Sequence, residues 1–146
     1  MAEQATERRL IAASPERVYE VALDLERYPE WADDIKEVEV LERDGQGRPL
    51  LVRFRAAAMG HSARYALRYD HEGGPGRMAW TLEQGDIVRV LDGEYLFEAD
   101  PTGTAVTYRL SIELSVPLPG FVKRRAESKI LGTALDELRH RCEGDF

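Results

Sequence analysis

Apolar residues change period along the chain, and each change marks an element. Thr6 to Ala12 alternates loosely and stops at Ser14-Pro15-Glu16, where a serine N-cap followed by proline at the first helical position opens a helix. Val18, Val21, Ala22 and Leu25 then recur at spacings of three and four, and this helix is expected to end before Pro29. Tyr28-Pro29-Glu30-Trp31 starts a second short helical turn, with Tyr28, Trp31 and Ile35 on its apolar side. Strand character follows in Val38 to Leu41, Leu50 to Ala57, Ser62 to Tyr69, Arg77 to Glu83, Val88 to Glu98 and Thr104 to Val116. The turn signals between them are Asp44-Gly45-Gln46-Gly47, Met59-Gly60, Gly73-Gly74-Pro75-Gly76, Gly85-Asp86 and Pro101-Thr102-Gly103. Gaps this short make hairpins, hence an antiparallel meander. In its last strand Val106, Tyr108, Leu110, Ile112, Leu114 and Val116 alternate with polar residues, so one face is buried and the other wet. Pro117-Leu118-Pro119-Gly120 ends that strand, and Phe121 to about Cys142 is a long amphipathic helix.

The order strand, two helices, six strands and long helix contains no repeat or linker, which predicts one α+β domain over residues 1–146. A flat seven-stranded sheet would be about 30 Å wide, whereas a helix with its side chains is about 10–12 Å across. The sheet must therefore curl around the last helix, and the concave space left over is expected to be a pocket. Alternation assigns its lining to Val52, Phe54, Tyr65, Leu67, Tyr69, Met78, Trp80, Leu82, Tyr95, Phe97, Tyr108, Leu110 and Ile112. Leu131, Ala134, Leu135 and Leu138 would face them from the helix, and Trp31 and Phe121 would flank the entrance. Ordinary core packing accounts for any one of these residues. Of the 12 aromatic residues, however, at least six fall on the inward face, and buried tyrosine hydroxyls need partners. Such a lining suits a mostly apolar ligand with a few oxygens.

Composition narrows the class. With 43% hydrophobic and 32% charged residues, the chain is not disordered, collagen-like or membrane-embedded. Twenty basic against 27 acidic residues give a net charge of -7, which argues against nucleic acid as a partner. The single cysteine, Cys142, allows no internal disulfide and no CxxC site. Met1 to Arg9 lacks the apolar run of a signal peptide, and a cytoplasmic protein is expected.

Candidate chemistry is sparse, and neither a metal nor a prosthetic group is expected. Arg53, Arg55, Arg64 and Arg68 have the opposite parity to the lining residues and should project to solvent. Tyr65, Tyr95 and Tyr108 are weak acids better suited to orienting a ligand. His61, at a turn, shares the parity of Tyr65 and is a candidate acid or base at a cavity mouth. Asp70-His71-Glu72 reads as a surface loop, because consecutive residues there do not converge on one ion. His140 and Cys142, two apart on a helix, do not share a face. Lys123-Arg124-Arg125 beside the apolar Pro117 to Phe121 segment is either a solvated helix face or a point of transient membrane contact.

Two segments carry a family resemblance. Ser14-Pro15-Glu16-Arg17-Val18-Tyr19 leads into Leu25-Glu26-Arg27-Tyr28-Pro29-Glu30-Trp31. The second runs from Trp80-Thr81-Leu82-Glu83 through Leu91-Asp92-Gly93-Glu94-Tyr95 and Thr104-Ala105-Val106-Thr107-Tyr108 to Pro119-Gly120-Phe121. In these the chain resembles the START-like (SRPBCC) superfamily, in its polyketide cyclase/dehydrase branch that includes coenzyme Q-binding proteins. The resemblance implies a helix-grip fold, a seven-stranded antiparallel sheet wrapped on the C-terminal helix. It also implies a hydrophobic cavity of the kind that holds lipids, quinones, hormones or polyketides in different members. Three functions stay open: a carrier or sensor of such a molecule, a polyketide-type aromatase/cyclase or dehydratase, and a protein interaction module with a filled cavity.

Overall fold

The computed structural model describes the backbone of residues 4–58, 61–115 and 119–144. The elements are β1 (Gln4–Ile11), α1 (Pro15–Leu23), a 3-10 helix (Leu25–Glu30), β2 (Ile35–Arg43), β3 (Pro49–Ala58), β4 (His61–Asp70), β5 (Arg77–Gly85), β6 (Val88–Asp100), β7 (Gly103–Leu114) and α2 (Gly120–Glu143). Ser14 caps α1 as expected, its side chain accepting from the Arg17 N–H at 3.2 Å. The helix stops at Leu23, before Pro29 as expected. Asp24 leaves helical backbone (φ -82°, ψ 69°), and the chain re-enters as the tighter helix that contains Pro29 and buries Leu25. β7 ends at Leu114, and Val116, Pro117 and Leu118 lie outside the described residues.

All seven strands form one antiparallel sheet in the order β1-β7-β6-β5-β4-β3-β2. Its register settles which side chains share a face. Val52 opposes Leu67, Phe54 opposes Tyr65, Tyr69 opposes Trp80, Met78 opposes Tyr95, and Tyr95 opposes Tyr108. The whole set assigned from alternation therefore lies on one inner face. One close approach needs a glycine: a Cβ at Gly93 would stand 2.7 Å from the Arg109 carbonyl oxygen and 2.8 Å from Cζ2 of Trp80. Gly93 thus lets the Trp80 indole lie against β6.

On the outer face Arg53 pairs with Glu39 at 3.0 Å, Arg55 with Glu37 at 3.2 Å and Arg68 with Glu83 at 3.0 Å. These arginines project away from the helix, as their parity requires, and such exposed pairs are worth about 0–1 kcal/mol each. His71 departs from expectation. It shares the parity of Tyr69, is 7% exposed, bonds the Pro49 carbonyl through Nε2 and stacks on the Tyr69 ring. β4 itself ends at Asp70, and the next residue folds inward before the turn at Gly73.

The helix α2 lies along β1 and buries Leu131, Leu135, Leu138 and Cys142. Two polar contacts set its level. Arg9 Nε donates to Asp136 Oδ1 at 3.1 Å, and the Ala12 N–H donates to Glu143 Oε2 at 2.8 Å. α1 closes one end of the concave side, where Tyr19 meets Phe97 edge-on at 5.9 Å.

Candidate functional site

Phe54, Tyr65, Leu67, Trp80, Leu82, Tyr95, Phe97, Tyr108, Leu110 and Ile112 all stand on the inner face, and Leu131 and Leu135 belong to the buried face of α2. Trp31 caps the 3-10 helix, packs on Tyr28 at 4.7 Å, and lines a cleft of about 270 Å³ with Arg17, Arg27 and Arg141. The side chain of Phe121 lies outside the described residues. His61 is exposed on the β3–β4 hairpin.

The rings of the inner face form a continuous row. Tyr69 to Trp80 spans 5.8 Å, Trp80 to Tyr95 5.5 Å, Tyr95 to Tyr108 4.5 Å and Tyr95 to Phe97 5.9 Å between centroids. Burial pushes the phenols of Tyr69, Tyr95 and Tyr108 well above their ordinary value, with neighbouring acidic groups, mainly other tyrosines, adding to the shift. Tyr65 shifts upward for the same first reason. All four are neutral hydrogen-bonding groups at physiological pH.

Tyr28 donates to the Ala22 carbonyl. The hydroxyls of Tyr65, Tyr69, Tyr95 and Tyr108 have no hydrogen-bond partner among the described residues. Polar side-chain atoms sealed from solvent without a partner are, among the described residues, His71 Nδ1 and Glu127 Oε2. The four tyrosine hydroxyls are not among them, so they keep contact with solvent-sized space while their rings are largely covered.

Covering is uneven along the strands. Near α1 the inner face is closed by Val18, Ala22, Val106 and Leu138. Toward the β3–β4 hairpin and the end of β7, Tyr65, Leu82, Leu91 and Ile112 stay partly exposed, as do Ile130 and Ala134 of α2. That end is the accessible one.

Glu127 is the residue that sequence reasoning missed. It is 5% exposed, and no hydrogen bond or ion pair reaches it among the described residues. It precedes Leu131 by four residues and Leu138 by eleven, which puts it on the buried stripe of α2. Nine residues before Asp136, at about 1.5 Å per residue, it stands about four strand residues before Arg9, level with Ala5. Ala5 opposes Leu110, so Glu127 stands level with the middle of β7, one inward residue from the partly exposed Ile112. A charged residue interrupting an apolar helical stripe was the signal available in the sequence.

Glu137 marks the flank of the same helix. Its carboxylate accepts from the Asp33 N–H at 3.0 Å, and partial burial raises its pKa, with the charges of Asp33 and Asp34 adding to the shift. Among the described residues no group of three or more His, Cys, Asp or Glu is placed to hold a metal ion. No described helix is long and apolar enough to cross a membrane.

The family described as polyketide cyclase / dehydrase and lipid transport matches residues 11–139 of this sequence. The chain belongs to that family. No curated protein matches the sequence. Among solved structures, a START superfamily protein from Mycobacterium smegmatis superposes with a TM-score of 0.89 at 24% identity, over 96% of this chain and 97% of that one. The protein TTHA0849 from Thermus thermophilus is 29% identical with a TM-score of 0.77, over 96% and 97% of the two chains. The Zhui aromatase/cyclase from Streptomyces sp. R1128 has a TM-score of 0.79 at 19% identity, over 98% and 94%. This polyketide cyclase/dehydrase family member therefore has the START helix-grip fold, in which the sheet is wrapped on the C-terminal helix.

Proposed function

We propose that the protein binds a hydrophobic small molecule, such as a lipid, quinone or polyketide, between the inner face of the sheet and α2. It acts as a carrier or sensor in the cytoplasm. The observation that carries this reading is the aromatic row of Tyr69, Trp80, Tyr95 and Tyr108, with tyrosine hydroxyls lacking protein partners inside an otherwise apolar lining. A buried hydroxyl is ordinarily paired, and a ligand with a few oxygens supplies the missing partner. The partly exposed Tyr65, Leu82 and Ile112 give such a molecule its way in. Exchange with a membrane would use Val122, Arg124 and Arg125, exposed at the start of α2.

A polyketide-type aromatase/cyclase or dehydratase is the second reading. It requires a charged group inside the lining to move a proton, and Glu127 is a group of that kind. The family description names both activities and transport, and supports the ligand class without choosing between them.

Native mass spectrometry of protein purified from its host, with solvent extraction of what co-purifies, tests the first reading. One apolar molecule per chain is the expected result, and Trp80→Ala and Tyr108→Ala should each weaken its uptake about tenfold or more, about 1.4 kcal/mol. Unchanged uptake in folded forms of both variants would remove the aromatic row from the site. Turnover of the extracted molecule that disappears in Glu127→Gln would establish the enzyme instead.

A further inference from the structure

We infer that Glu127 is the polar anchor of the inner-face site and selects hydrophobic ligands that donate a hydrogen bond, through a hydroxyl, a phenol or an ammonium group. The inference rests on the binding reading above and names the ligand chemistry that reading leaves open.

A carboxylate removed from water without a partner is among the least favourable groups a fold can carry, and Glu127 is 5% exposed with its Oε2 sealed and unpartnered. The surrounding stripe of α2 is apolar, with Leu131, Leu135 and Leu138 on the same face, so a leucine at 127 would satisfy packing at no electrostatic cost. No ion pair is made to the carboxyl group among the described residues. The other oxygen, Oε1, is not sealed.

An ionised carboxylate accepts hydrogen bonds and donates none. Its natural complement is therefore a donor, and a charge-assisted bond formed away from water is about twice as strong as a neutral one. The tyrosine hydroxyls of the aromatic row can either donate or accept, so they tolerate the ligand's remaining oxygens. A carboxylate at this position gains nothing from a carbonyl or ether oxygen, which brings it no donor. Position agrees with this role: its level is that of Leu110, between Tyr108 of the aromatic row and the partly exposed Ile112 along β7.

The test uses two molecules of nearly the same shape, 2-naphthol, which donates, and 2-methoxynaphthalene, which does not. Their binding to the full chain is followed by calorimetry and by quenching of tryptophan fluorescence. In the unsubstituted protein 2-naphthol should bind about tenfold or more tighter. Glu127→Gln should reduce this preference and Glu127→Leu should abolish it, while 2-methoxynaphthalene binds the Leu variant as well as or better than the parent. The empty Glu127→Leu protein should also melt at a higher temperature than the parent, because a buried unpartnered polar group has gone. Equal binding of the two molecules, or a preference that survives in both variants, overturns the inference and leaves the aromatic site intact. A lower melting temperature in Glu127→Leu also overturns it, since that would make the carboxylate a structural partner. Failure of both molecules to bind the parent overturns the inference together with the binding reading beneath it.

Discussion

At the α1 end of the inner face, Val18, Val106 and Leu135 have no exposed surface, and Leu138 is 1% exposed. At the hairpin end, Tyr65, Leu82, Leu91, Ile112 and Ile130 remain partly uncovered although they have the same parity and similar side chains. The strands are continuous between the two ends, so the difference comes from what lies across them. α1 and the 3-10 helix lie over the first end, and among the described residues no comparable helix covers the second. Apolar side chains at one end are spent on stability, and at the other they stay available to a ligand.

The sharpest way to break that comparison is a pair of truncations. Leu138→Ala should cost about 3 kcal/mol in urea unfolding, because a fully enclosed side chain leaves a cavity its neighbours cannot fill. Ile112→Ala should cost about 1 kcal/mol or less, since part of that side chain already faces solvent. Equal losses would mean that the two ends are covered alike.

Cys142 sharpens the comparison chemically. Burial pushes its thiol up to about 11, with the nearby charges of Arg17 and Arg141 pulling down and that of Glu143 adding to the rise. At pH 8 its thiolate fraction is therefore about one in a thousand, and native protein should react with a thiol reagent about two orders of magnitude more slowly than unfolded protein. Fast native labelling would show that the α1 end opens readily.

A smaller contrast concerns the boundary between the ends. Gly93→Ala places a methyl group against the Arg109 carbonyl and the Trp80 ring and should cost about 1–2 kcal/mol. Combined with Trp80→Ala the loss should be less than additive, because the indole that the methyl group meets is gone. Strict additivity in a double-mutant cycle would leave the backbone contact as the whole cause.

Much of this was readable before the fold. Alternation placed Val52, Tyr69, Trp80, Tyr95 and Tyr108 on one face, and the register agrees at each cross-strand pair. The hydrophobic period identifies a face because successive strand side chains must point to opposite sides. It carries no information about position along the strand, so Leu82 and Leu110 gave the same signal although one is partly open and the other sealed. Local turn chemistry likewise ended β4 near His71 without revealing that its ring folds inward onto Tyr69.

The sequence by itself determined the element order, the inward set and the outward arginines, since each follows from spacing between near neighbours. The tertiary structure alone decided which end of the inner face is closed and that Glu127 is buried without a partner. Both depend on where α1 and α2 dock, and docking brings together residues more than a hundred positions apart, as Arg9 and Asp136 do. A glutamate within a helix carries the same local signal in water and in a core, and its surroundings are set by what the distant sheet brings against it.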